Sequence, residues 1–516
     1  MIIQRKLLQI GKDTAIPLFL FFITIVSRIP FRSRVLYHMD SVQYALATEH
    51  YDISVHQPHP PGYFLYVMLG KLLNIITGDA NTSFVVISIF ASGALVVAVY
   101  ALAKLMFDEK TALAASLLAM TSPVVWFHGE VALNYILEGF LSSLIAYYCW
   151  RTINGEEKLI LAASLALAFA AGIRQTMLMF LFPLWVLALI KVSARYRVYA
   201  VALLVFGISS WFFPMISLTG GYMKYREASK EYMTYVAAPL FHSEKSISLY
   251  SLGKIVELTV HGLGFSLVFI LFYFLAYRPE QLKRDLMSSK GLFCILWVFP
   301  PLFLYVMVFV ASHINAGYSL IYLPALIILA SSALIKSAAV SKSLPRWCFV
   351  TFLGLALISN SYMFISSTAH ISYRFLSEQE ERLSTFTREV RRHYHPENVV
   401  LMCRKNVFFG PRHFMYYLPE YRVYIINEFP PVQKKARQVF WGQYHTTHRT
   451  EGLHLPVGIK YFISPEERSA SEQSSLPPCV NVVFEVNNVF RFCLYDIRFV
   501  QMLYPGGLFV PDLPPN

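Results

Sequence analysis

The sequence predicts an α-helical polytopic membrane protein that carries a small α/β domain at its C-terminal end. Of its 516 residues, 56% are hydrophobic and only 15% are charged. Long uncharged runs recur, among them residues 159–173 and 293–312. A bilayer core requires about 20 apolar residues per helix, because backbone polar groups must be satisfied within the segment. After residue 367 these runs stop, and short apolar segments alternate with polar turns, as is typical of strands.

Apolar runs that end at clusters of charge give eleven candidate membrane spans within a predicted domain of residues 1–367. They lie near residues 14–30, 82–103, 111–127, 131–150, 159–173, 176–190, 198–217, 255–277, 291–312, 316–335 and 347–367. The first span is predicted to be an anchor rather than a cleaved signal. Arg5, Lys6 and Lys12 precede it, and no small-residue cleavage site closes it before Arg28.

The distribution of basic residues predicts the orientation. With the N-terminus in the cytoplasm, the inner segments hold 17 Lys and Arg in 58 positions, and the outer ones hold 8 in 99. The inner segments are 1–12, 104–110, 151–158, 191–197, 278–290 and 336–346. By the positive-inside rule, the loops 31–81 and 218–253 lie outside. An odd number of spans then places the tail, residues 368–516, on the same side.

The tail is predicted to be an extracytoplasmic α/β domain. A charged helical pattern covers residues 374–392, and short apolar runs that read as strands follow it at 398–402, 421–426, 460–463, 480–486 and 490–494. Cys403, Cys479 and Cys493 lie in this domain. One disulfide is permitted there, and the odd number leaves one thiol over.

The net charge of +13 does not indicate nucleic acid binding. The inner-face bias accounts for much of it, and basic groups near headgroups favour anionic membrane lipids as partners. No basic run interleaved with aromatic residues reads as a nucleic-acid groove.

Residues 39–66 are dense in ionisable groups directly after the first span. They include Asp40, Glu49, Asp52, His50, His56 and His59, beside a Pro60-Pro61-Gly62 turn. Such groups are costly at the mouth of a helical bundle unless they are hydrated or partnered, which favours a functional site. The alternative is a solvated connecting loop. The histidine spacing matches no closed metal site, so we expect no metal.

Three further outward segments carry polar groups. Glu130, Asn134 and Glu138 follow the turn 127–130 at i, i+4 and i+8, which predicts a polar stripe on one helix. Near the surface, Glu130 reads as functional. Glu138 would lie deeper and would either bond a neighbouring helix or contact substrate.

The other two outward segments are basic. Arg174 lies between two apolar spans, where it could snorkel to the headgroups or clamp a phosphate. Lys224 and Arg226 follow Gly220-Gly221 in a segment that reads either as a lid over an anionic or sugar ligand or as a solvated amphipathic stretch.

Several of these motifs together resemble the GT-C superfamily of polyprenyl-phosphate-sugar-dependent glycosyltransferases. They are an acid soon after the first span, the His59-Pro60-Pro61-Gly62-Tyr63 turn, and 123–126 (PVVW) followed by Glu130. The nearest branch is the protein O-mannosyltransferase-like proteins, related to glycosyltransferase family 39 and to lipid A aminoarabinose transferases. The resemblance is clearest over residues 30–180.

The resemblance implies transfer of a sugar from a polyprenyl-phosphate carrier to a hydroxyl on the outer side of the membrane. It implies inversion at the anomeric carbon and no cofactor besides the lipid-linked sugar phosphate. Asp40 matches the first-loop acid and is expected to be the general base, and Glu130 matches the second outer acid. His59 is expected to orient substrate or to contact phosphate, and His56 and Tyr63 are expected to bind substrate beside it.

Departures from the family pattern weaken the assignment of mannose as the transferred sugar. Mannosyltransferases of the family have paired acids in the first loop, whereas here Ser41 follows Asp40 and Gln43 stands where a related branch has Glu. The sugar, the carrier length and the acceptor, whether protein, lipid or glycan, stay open.

Two other classes are compatible with many spans. A multi-span transporter or lipid flippase would explain buried acids, but such proteins commonly show inverted repeats, and none is visible here. A non-catalytic envelope scaffold would not need Asp40 or Glu130. We expect the bacterial inner membrane as the location, or the endoplasmic reticulum if the protein is eukaryotic.

Overall fold

The computed structural model describes residues 2–242, 247–276, 279–307, 315–340, 345–403, 410–426, 439–443, 446–450, 453–467, 478–485, 490–500 and 509–511. The chain divides into two compact units. The first contains residues 1–33, 63–215 and 236–376, and the second contains residues 34–62, 216–235 and 377–516. Thus most of the predicted first outer loop belongs to the same unit as the tail.

The described residues form nineteen α-helices. They are α1 (Ile2–Arg28), α2 (Met39–Glu49), α3 (Phe64–Thr77), α4 (Ala80–Met106), α5 (Glu109–Thr121), α6 (Pro123–His128), α7 (Tyr135–Ile153), α8 (Leu159–Ile173), α9 (Thr176–Leu189), α10 (Ala194–Leu218), α11 (Tyr222–His242), α12 (Ile247–Leu263), α13 (Leu267–Ala276), α14 (Pro279–Leu286), α15 (Ser289–Met307), α16 (Leu323–Val340), α17 (Arg346–Ser366), α18 (Tyr373–His393) and α19 (Pro411–Tyr417). Short 3₁₀ helices occur at Ile29–Phe31, Ile53–Val55, Gly264–Ser266, Ala316–Ile321 and Ile497–Phe499.

The predicted membrane character is confirmed. Six helical segments among the described residues are long and apolar enough to cross a bilayer: Thr14–Phe31, Ala80–Met106, Ala194–Leu218, Leu252–Leu275, Ser289–Val306 and Trp347–Ser366. Shorter apolar helices occur at Phe64–Thr77, Leu159–Ile173, Thr176–Leu189 and Leu323–Ala338. The protein is therefore a multi-pass membrane protein, and the count of eleven spans stays a prediction.

The predicted loop 31–81 is largely helical, because it contains α2 and α3. α3 is apolar over 14 residues, and Leu72, Ile75 and Ile76 on it are more than 60% exposed. Gly78 ends α3 with a left-handed φ of 69°, a conformation that glycine adopts without steric cost. The hydropathy pattern missed α3 because Lys71 interrupts its apolar run.

The predicted stripe on one helix is wrong for Glu130. α7 begins at Tyr135, and residues 129–134 are not helical. Ser88 Oγ of α4 donates to the Val131 carbonyl at 2.7 Å, and Ser33 N donates to the Glu130 carbonyl at 2.9 Å. These bonds satisfy carbonyls that a helix would satisfy internally. Hence only Asn134 and Glu138 are i, i+4 neighbours on one surface.

Buried polar bonds connect the helices of the first unit. Trp297 of α15 donates its indole N–H to Ser142 Oγ of α7 at 2.7 Å. Ser142 Oγ in turn donates to the Ile321 carbonyl at 2.7 Å. Each polar group in this series of hydrogen bonds has a partner, as burial requires.

The second unit contains a seven-stranded mixed sheet with strand order β4-β3-β2-β1-β6-β8-β7, and a separate parallel pair β5-β9. The strands are β1 (Val399–Cys403), β2 (Val423–Ile426), β3 (Val439–Gln443), β4 (Thr446–Thr450), β5 (Leu453–Leu455), β6 (Tyr461–Glu467), β7 (Asn481–Glu485), β8 (Phe490–Asp496) and β9 (Phe509–Pro511). β1 is parallel to β2 and β6, and the other contacts within the large sheet are antiparallel.

The prediction of a small α/β tail is confirmed in its main elements. All five predicted strands are present, and α18 coincides with the predicted helix. Leu383, Phe386 and Val390 of α18 recur at helical spacing and are buried in the core cluster of the sheet. Cys479 and Cys493 form a disulfide, and Cys403 is the thiol left over, buried in β1.

The first loop and the tail are joined by hydrogen bonds within the second unit. His413 Nε2 of α19 lies 3.1 Å from the Tyr37 carbonyl. The Leu36 N–H donates to the Tyr417 hydroxyl at 2.7 Å. The Arg34 N–H donates to Glu380 of α18 at 2.7 Å. The loop that carries Asp40 is thus built onto the tail domain.

Candidate active site

Asp40 lies in the first turn of α2, between two histidines. His38 caps the helix, because its Nδ1 accepts a hydrogen bond from the Asp40 N–H at 3.2 Å. The Asp40 carboxylate oxygens lie 3.6 Å from His38 Nδ1 and 3.7 Å from His59 Nδ1. With a side chain 19% exposed, Asp40 is sheltered but accessible. A carboxylate at a helix N-terminus is also stabilised by the helix dipole.

His59 is held by Gln43, one turn after Asp40 on the same helix. The Gln43 side-chain oxygen accepts from the His59 backbone N–H at 3.1 Å and lies 2.6 Å from His59 Nδ1. Tyr232 of α11 packs against His59 with ring centroids 5.7 Å apart and against His56 at 6.3 Å. His59 thus lies beside Asp40, and the expected role of His56 and His59 in orienting substrate stays a prediction.

Two tyrosines of the same loop have perturbed phenol groups. Burial, and next the negative charge of Asp40, raise the pKa of Tyr37. Burial also raises the pKa of Tyr51, whose hydroxyl donates to the Gly62 carbonyl at 2.6 Å. Both phenols stay protonated at neutral pH, so they act as hydrogen-bond donors rather than bases.

Lys224 and Arg226 lie near the start of α11, with exposed side chains. The helix follows Gly220 and Gly221, whose φ values are 90° and 107°. Such positive φ values strain other residues and favour glycine at this turn. The two bases share this helix with Tyr232, whose ring contacts His59.

Arg174 and Glu138 form an ion pair inside the first unit. Arg174 Nη1 lies 3.2 Å from Glu138 Oε2, and the side chains are 3% and 0% exposed. Asn134 donates its side-chain amide to the other Glu138 oxygen. The snorkelling interpretation of Arg174 is therefore wrong, because the guanidinium is turned inward to the Glu138 carboxylate.

Aromatic rings surround the Arg174 guanidinium. It lies 4.4 Å above the Tyr318 ring and 5.8 Å from the Tyr135 ring, distances at which cation–π attraction operates. The Tyr63 and Tyr305 hydroxyls also interact with it electrostatically. Tyr63 precedes α3 with a left-handed φ of 45°. The predicted site residues Arg174, Glu138 and Tyr63 thus belong to one cluster.

Sequence reasoning did not select Tyr135, Tyr318 or His128 for this cluster. His128 Nε2 lies 3.2 Å from the Asn315 side-chain oxygen, and its Nδ1 lies 2.9 Å from the Val124 carbonyl. Gly317 lies against Tyr135 and His128 so closely that a Cβ at residue 317 would collide with both. In the sequence, the adjacent Gly317 and Tyr318 were the feature that could have indicated this cluster.

Glu130 lies in a different environment from Glu138. Its side chain is fully buried, and both carboxylate oxygens lack a hydrogen bond of normal geometry within the described part of the chain. Arg28 and Trp126 interact with it electrostatically. Arg28 is itself fully buried and lies 4.6 Å above the Trp126 ring. The structure therefore groups Glu130 with the end of α1.

The predicted residues thus form two clusters, an isolated buried acid, Glu130, and two exposed bases, Lys224 and Arg226. Asp40, His59 and His56 lie together in the second unit, and Glu138, Arg174 and Tyr63 lie together in the first. The predicted convergence of Asp40, Glu130 and Arg174 on one substrate stays a prediction. Across the described ranges, no three His, Cys, Asp or Glu side chains form a group that could hold a metal ion.

A family model described as dolichyl-phosphate-mannose-protein mannosyltransferase matches residues 58–216. This range contains His59, Tyr63, Glu130, Glu138 and Arg174, whereas Asp40 lies before it. No curated protein sequence matches the chain significantly.

Solved structures match the chain over nearly its whole length. ArnT from Cupriavidus metallidurans bound to undecaprenyl phosphate is 11% identical, with a TM-score of 0.54, over 94% of this chain and 98% of that one. Its apo structure gives 11% identity, a TM-score of 0.52, and 94% and 97% coverage. The oligosaccharyltransferase AglB from Archaeoglobus fulgidus gives 12% identity, a TM-score of 0.47, and 88% and 69% coverage. The ArnT matches show that the fold of the chain is that of ArnT.

Proposed function

We propose that this chain, a member of the GT-C superfamily by its fold and its family-model match, is a membrane glycosyltransferase. It takes a sugar from a polyprenyl-phosphate carrier and transfers it to a hydroxyl group of a protein, lipid or glycan. The reaction inverts the anomeric carbon and needs neither a metal nor a cofactor besides the lipid-linked donor.

One geometric observation carries this proposal. A sheltered carboxylate, Asp40, lies at a helix N-terminus within 4 Å of two imidazoles, in a fold shared with the undecaprenyl-phosphate-bound structure of ArnT. A carboxylate so placed can accept a proton from a hydroxyl as that hydroxyl attacks. A hydroxyl acceptor and a phosphate leaving group are the chemistry that suits these residues.

In the proposed reaction, the acceptor oxygen attacks the anomeric carbon and gives its proton to Asp40. The bond between that carbon and the phosphate oxygen breaks, and the carrier departs as a phosphate. Lys224 and Arg226, both exposed near the start of α11, are the cations assigned to stabilise this phosphate.

Arg174 receives a different role from the phosphate clamp suggested by sequence. Its guanidinium is already paired with Glu138 and stacked on Tyr318. Removing it from Glu138 would leave a buried unpaired carboxylate, which is costly. We therefore assign Arg174 and Glu138 as positioning residues that hold the rings of Tyr135 and Tyr318 in place.

The chain segments that make up the second unit support its location on the outer side of the membrane. Residues 34–62, 216–235 and 377–516 fold as one compact unit, and a compact unit cannot be divided by a bilayer. The two loops and the tail therefore share one side, as the eleven-span topology requires. The basic-residue bias assigns that side to the exterior, which is the periplasmic side in bacteria or the lumen in a eukaryote.

A carrier-release assay tests the proposal. Purified protein is incubated with a panel of polyprenyl-phosphate sugars and a pool of acceptors, and release of polyprenyl phosphate is measured. We expect release from at least one donor and a loss of about 10²- to 10⁴-fold in Asp40→Asn. Glu49→Gln is the matched control, since Glu49 ends the same helix and is exposed.

The outcomes separate the proposal from its rivals. A transporter or flippase would move the lipid in vesicles without releasing the carrier, and a scaffold would do neither. Full transfer by Asp40→Asn would overturn the assignment of Asp40 while leaving the transferase class intact. Absence of release from every donor would contradict the transferase class itself.

A further inference from the structure

We propose that Gln43 is a positioning residue that keeps the neutral imidazole of His59 protonated on Nδ1, and thereby fixes its tautomer and its orientation beside Asp40. This inference rests on the proposed glycosyl transfer and deepens it. It assigns the imidazole a defined tautomer and therefore a defined role beside Asp40.

The two Gln43 hydrogen bonds determine the tautomer. The side-chain oxygen of Gln43 accepts from the His59 backbone N–H at 3.1 Å and lies 2.6 Å from Nδ1. The bond from the backbone N–H identifies the atom facing His59 as the oxygen, because an amide NH₂ cannot accept. An amide oxygen only accepts, so Nδ1 must carry the proton. In a neutral ring, Nε2 then carries the lone pair.

Burial makes this arrangement rigid. Gln43 is 2% exposed and His59 is 6% exposed, so water competes little for the amide oxygen. Gln43 lies one helical turn after Asp40, which fixes the Pro58–Pro61 turn to the helix that carries the catalytic carboxylate. A shift of α2 therefore moves Asp40 and His59 together.

The groups that face His59 are consistent with this tautomer. Asp40 Oδ1 lies 3.7 Å from Nδ1, too far for a hydrogen bond, whereas the Gln43 oxygen lies 2.6 Å away. Tyr44 of α2 and Tyr232 of α11 pack against the ring with centroids 6.2 Å and 5.7 Å away. Of these three neighbours Asp40 carries the charge, and the Gln43 oxygen rather than the Asp40 carboxylate accepts the hydrogen bond from Nδ1–H.

A glutamate at position 43 would reverse this role. A carboxylate at the same place would favour the doubly protonated imidazolium, whose Nε2 donates rather than accepts. Glutamine keeps the acceptor oxygen and avoids that charge. The residue at position 43 would therefore decide the charge and the tautomer of the imidazole beside Asp40.

Nitrogen NMR tests the tautomer without any substrate. Full-length protein labelled with ¹⁵N-histidine is compared as wild type, Gln43→Met, Gln43→Glu and His59→Asn, the last to assign the His59 signals by difference. We expect wild-type His59 at pH 8 to show the Nδ1–H tautomer. Gln43→Met should lose that preference, and Gln43→Glu should retain imidazolium to a higher pH. A wild-type Nε2–H tautomer would overturn the inference.

Carrier release provides the second readout. Gln43→Met is expected to reduce kcat/KM by roughly 10- to 100-fold, and Gln43→Glu to move the acid limb of the pH profile upward. Gln281→Glu on α14 of the first unit is the matched control for added charge. If no donor supports release in the wild type, the proposed function fails, and the NMR result still decides the tautomer. An unchanged pH profile in Gln43→Glu would contradict the role of His59 in the reaction.

Discussion

The carboxylate of Glu138 and the guanidinium of Arg174, 36 residues apart in the sequence, meet at 3.2 Å with neither side chain more than 3% exposed. The pair joins the first turn of α7 to the residue that follows α8. Tyr318 covers the guanidinium, and Asn134 bonds the carboxylate. This geometry indicates that Arg174 and Glu138 form a fixed structural pair, and that Arg174 is not available to bind a ligand.

Breaking this pair is expected to destabilise the protein strongly. Glu138→Gln or Arg174→Met alone would leave one buried charge without its partner, at a cost of about 3–5 kcal/mol in the free energy of unfolding. The double variant, which removes both charges, is expected to lose much less. Thermal unfolding in detergent measures all three.

An exposed pair is the control for this double-mutant cycle. Lys254 and Glu257 lie 2.8 Å apart on α12 with side chains 35% and 47% exposed, and their removal should change stability by less than about 1 kcal/mol. Equal effects at the two pairs would contradict the structural role assigned to Glu138 and Arg174.

Gly317→Ala is expected to disturb the tyrosine cluster. A Cβ at residue 317 would lie 2.7 Å from His128 Nε2 and would collide with the Tyr135 ring. Overpacking of this kind typically costs about 1–3 kcal/mol. Unfolding temperature and carrier release should both fall.

Gly354→Ala tests the same substitution where there is room. Nothing lies within 4 Å of a Cβ at Gly354 in α17, and alanine is favoured over glycine in a helix by roughly 1 kcal/mol. We expect Gly354→Ala to be neutral or stabilising. A loss of stability there as large as in Gly317→Ala would show that packing around Gly317 is not the cause.

His413 is expected to make the tail domain sensitive to acid. Burial lowers the pKa of His413 from 6.5 to about 4, against the opposing effect of its bond to the Tyr37 carbonyl. Between these values the unfolded chain binds a proton that the folded chain does not. Stability therefore falls as the pH falls from about 6.5 to about 4, by up to about 3 kcal/mol.

Chemical denaturation across this pH range measures the effect. His413→Gln removes the titrating group and keeps a donor for the Tyr37 carbonyl, so its stability should depend less on pH. His393→Gln, on the exposed end of α18, is the control. A wild type and a His413→Gln variant with parallel pH profiles would exclude His413 as the source.

Chelation is expected to leave transfer unchanged. In the proposed mechanism the cations that face the leaving phosphate are side chains, Lys224 and Arg226, so no divalent ion is required for charge stabilisation. Carrier release is measured after treatment with EDTA and after addition of Mn²⁺ or Zn²⁺. Loss of release that either ion restores would contradict the metal-independent mechanism.

How far sequence reasoning reached differs from one element to another. Residues 159–173 form α8 as predicted, because an apolar run is a local property that needs no partner. The helix predicted from residue 131 instead begins at Tyr135, because Ser88 and Ser33 bind the backbone before it. α3 was missed because Lys71 interrupts its apolar run, whereas α9, also of 14 residues, carries no charge and was predicted.

The candidate site likewise contains residues that the local sequence could identify and residues that it could not. Asp40 and His59 could be selected from the density of ionisable groups in one short loop, and their contact follows from the turn between them. Tyr318 could not, since it reaches Arg174 from 144 positions further along the chain.

By itself the sequence determined the class of the protein, the helices that make it a membrane protein, the strands of its tail, and the loop that holds Asp40. These depend on composition and on patterns within about twenty residues. Only the tertiary structure decided that Arg174 pairs with Glu138, that Gln43 sets the tautomer of His59, and that the first loop folds with the tail. Those choices depend on which distant groups burial brings into contact, and a buried polar group takes whichever partner packing supplies.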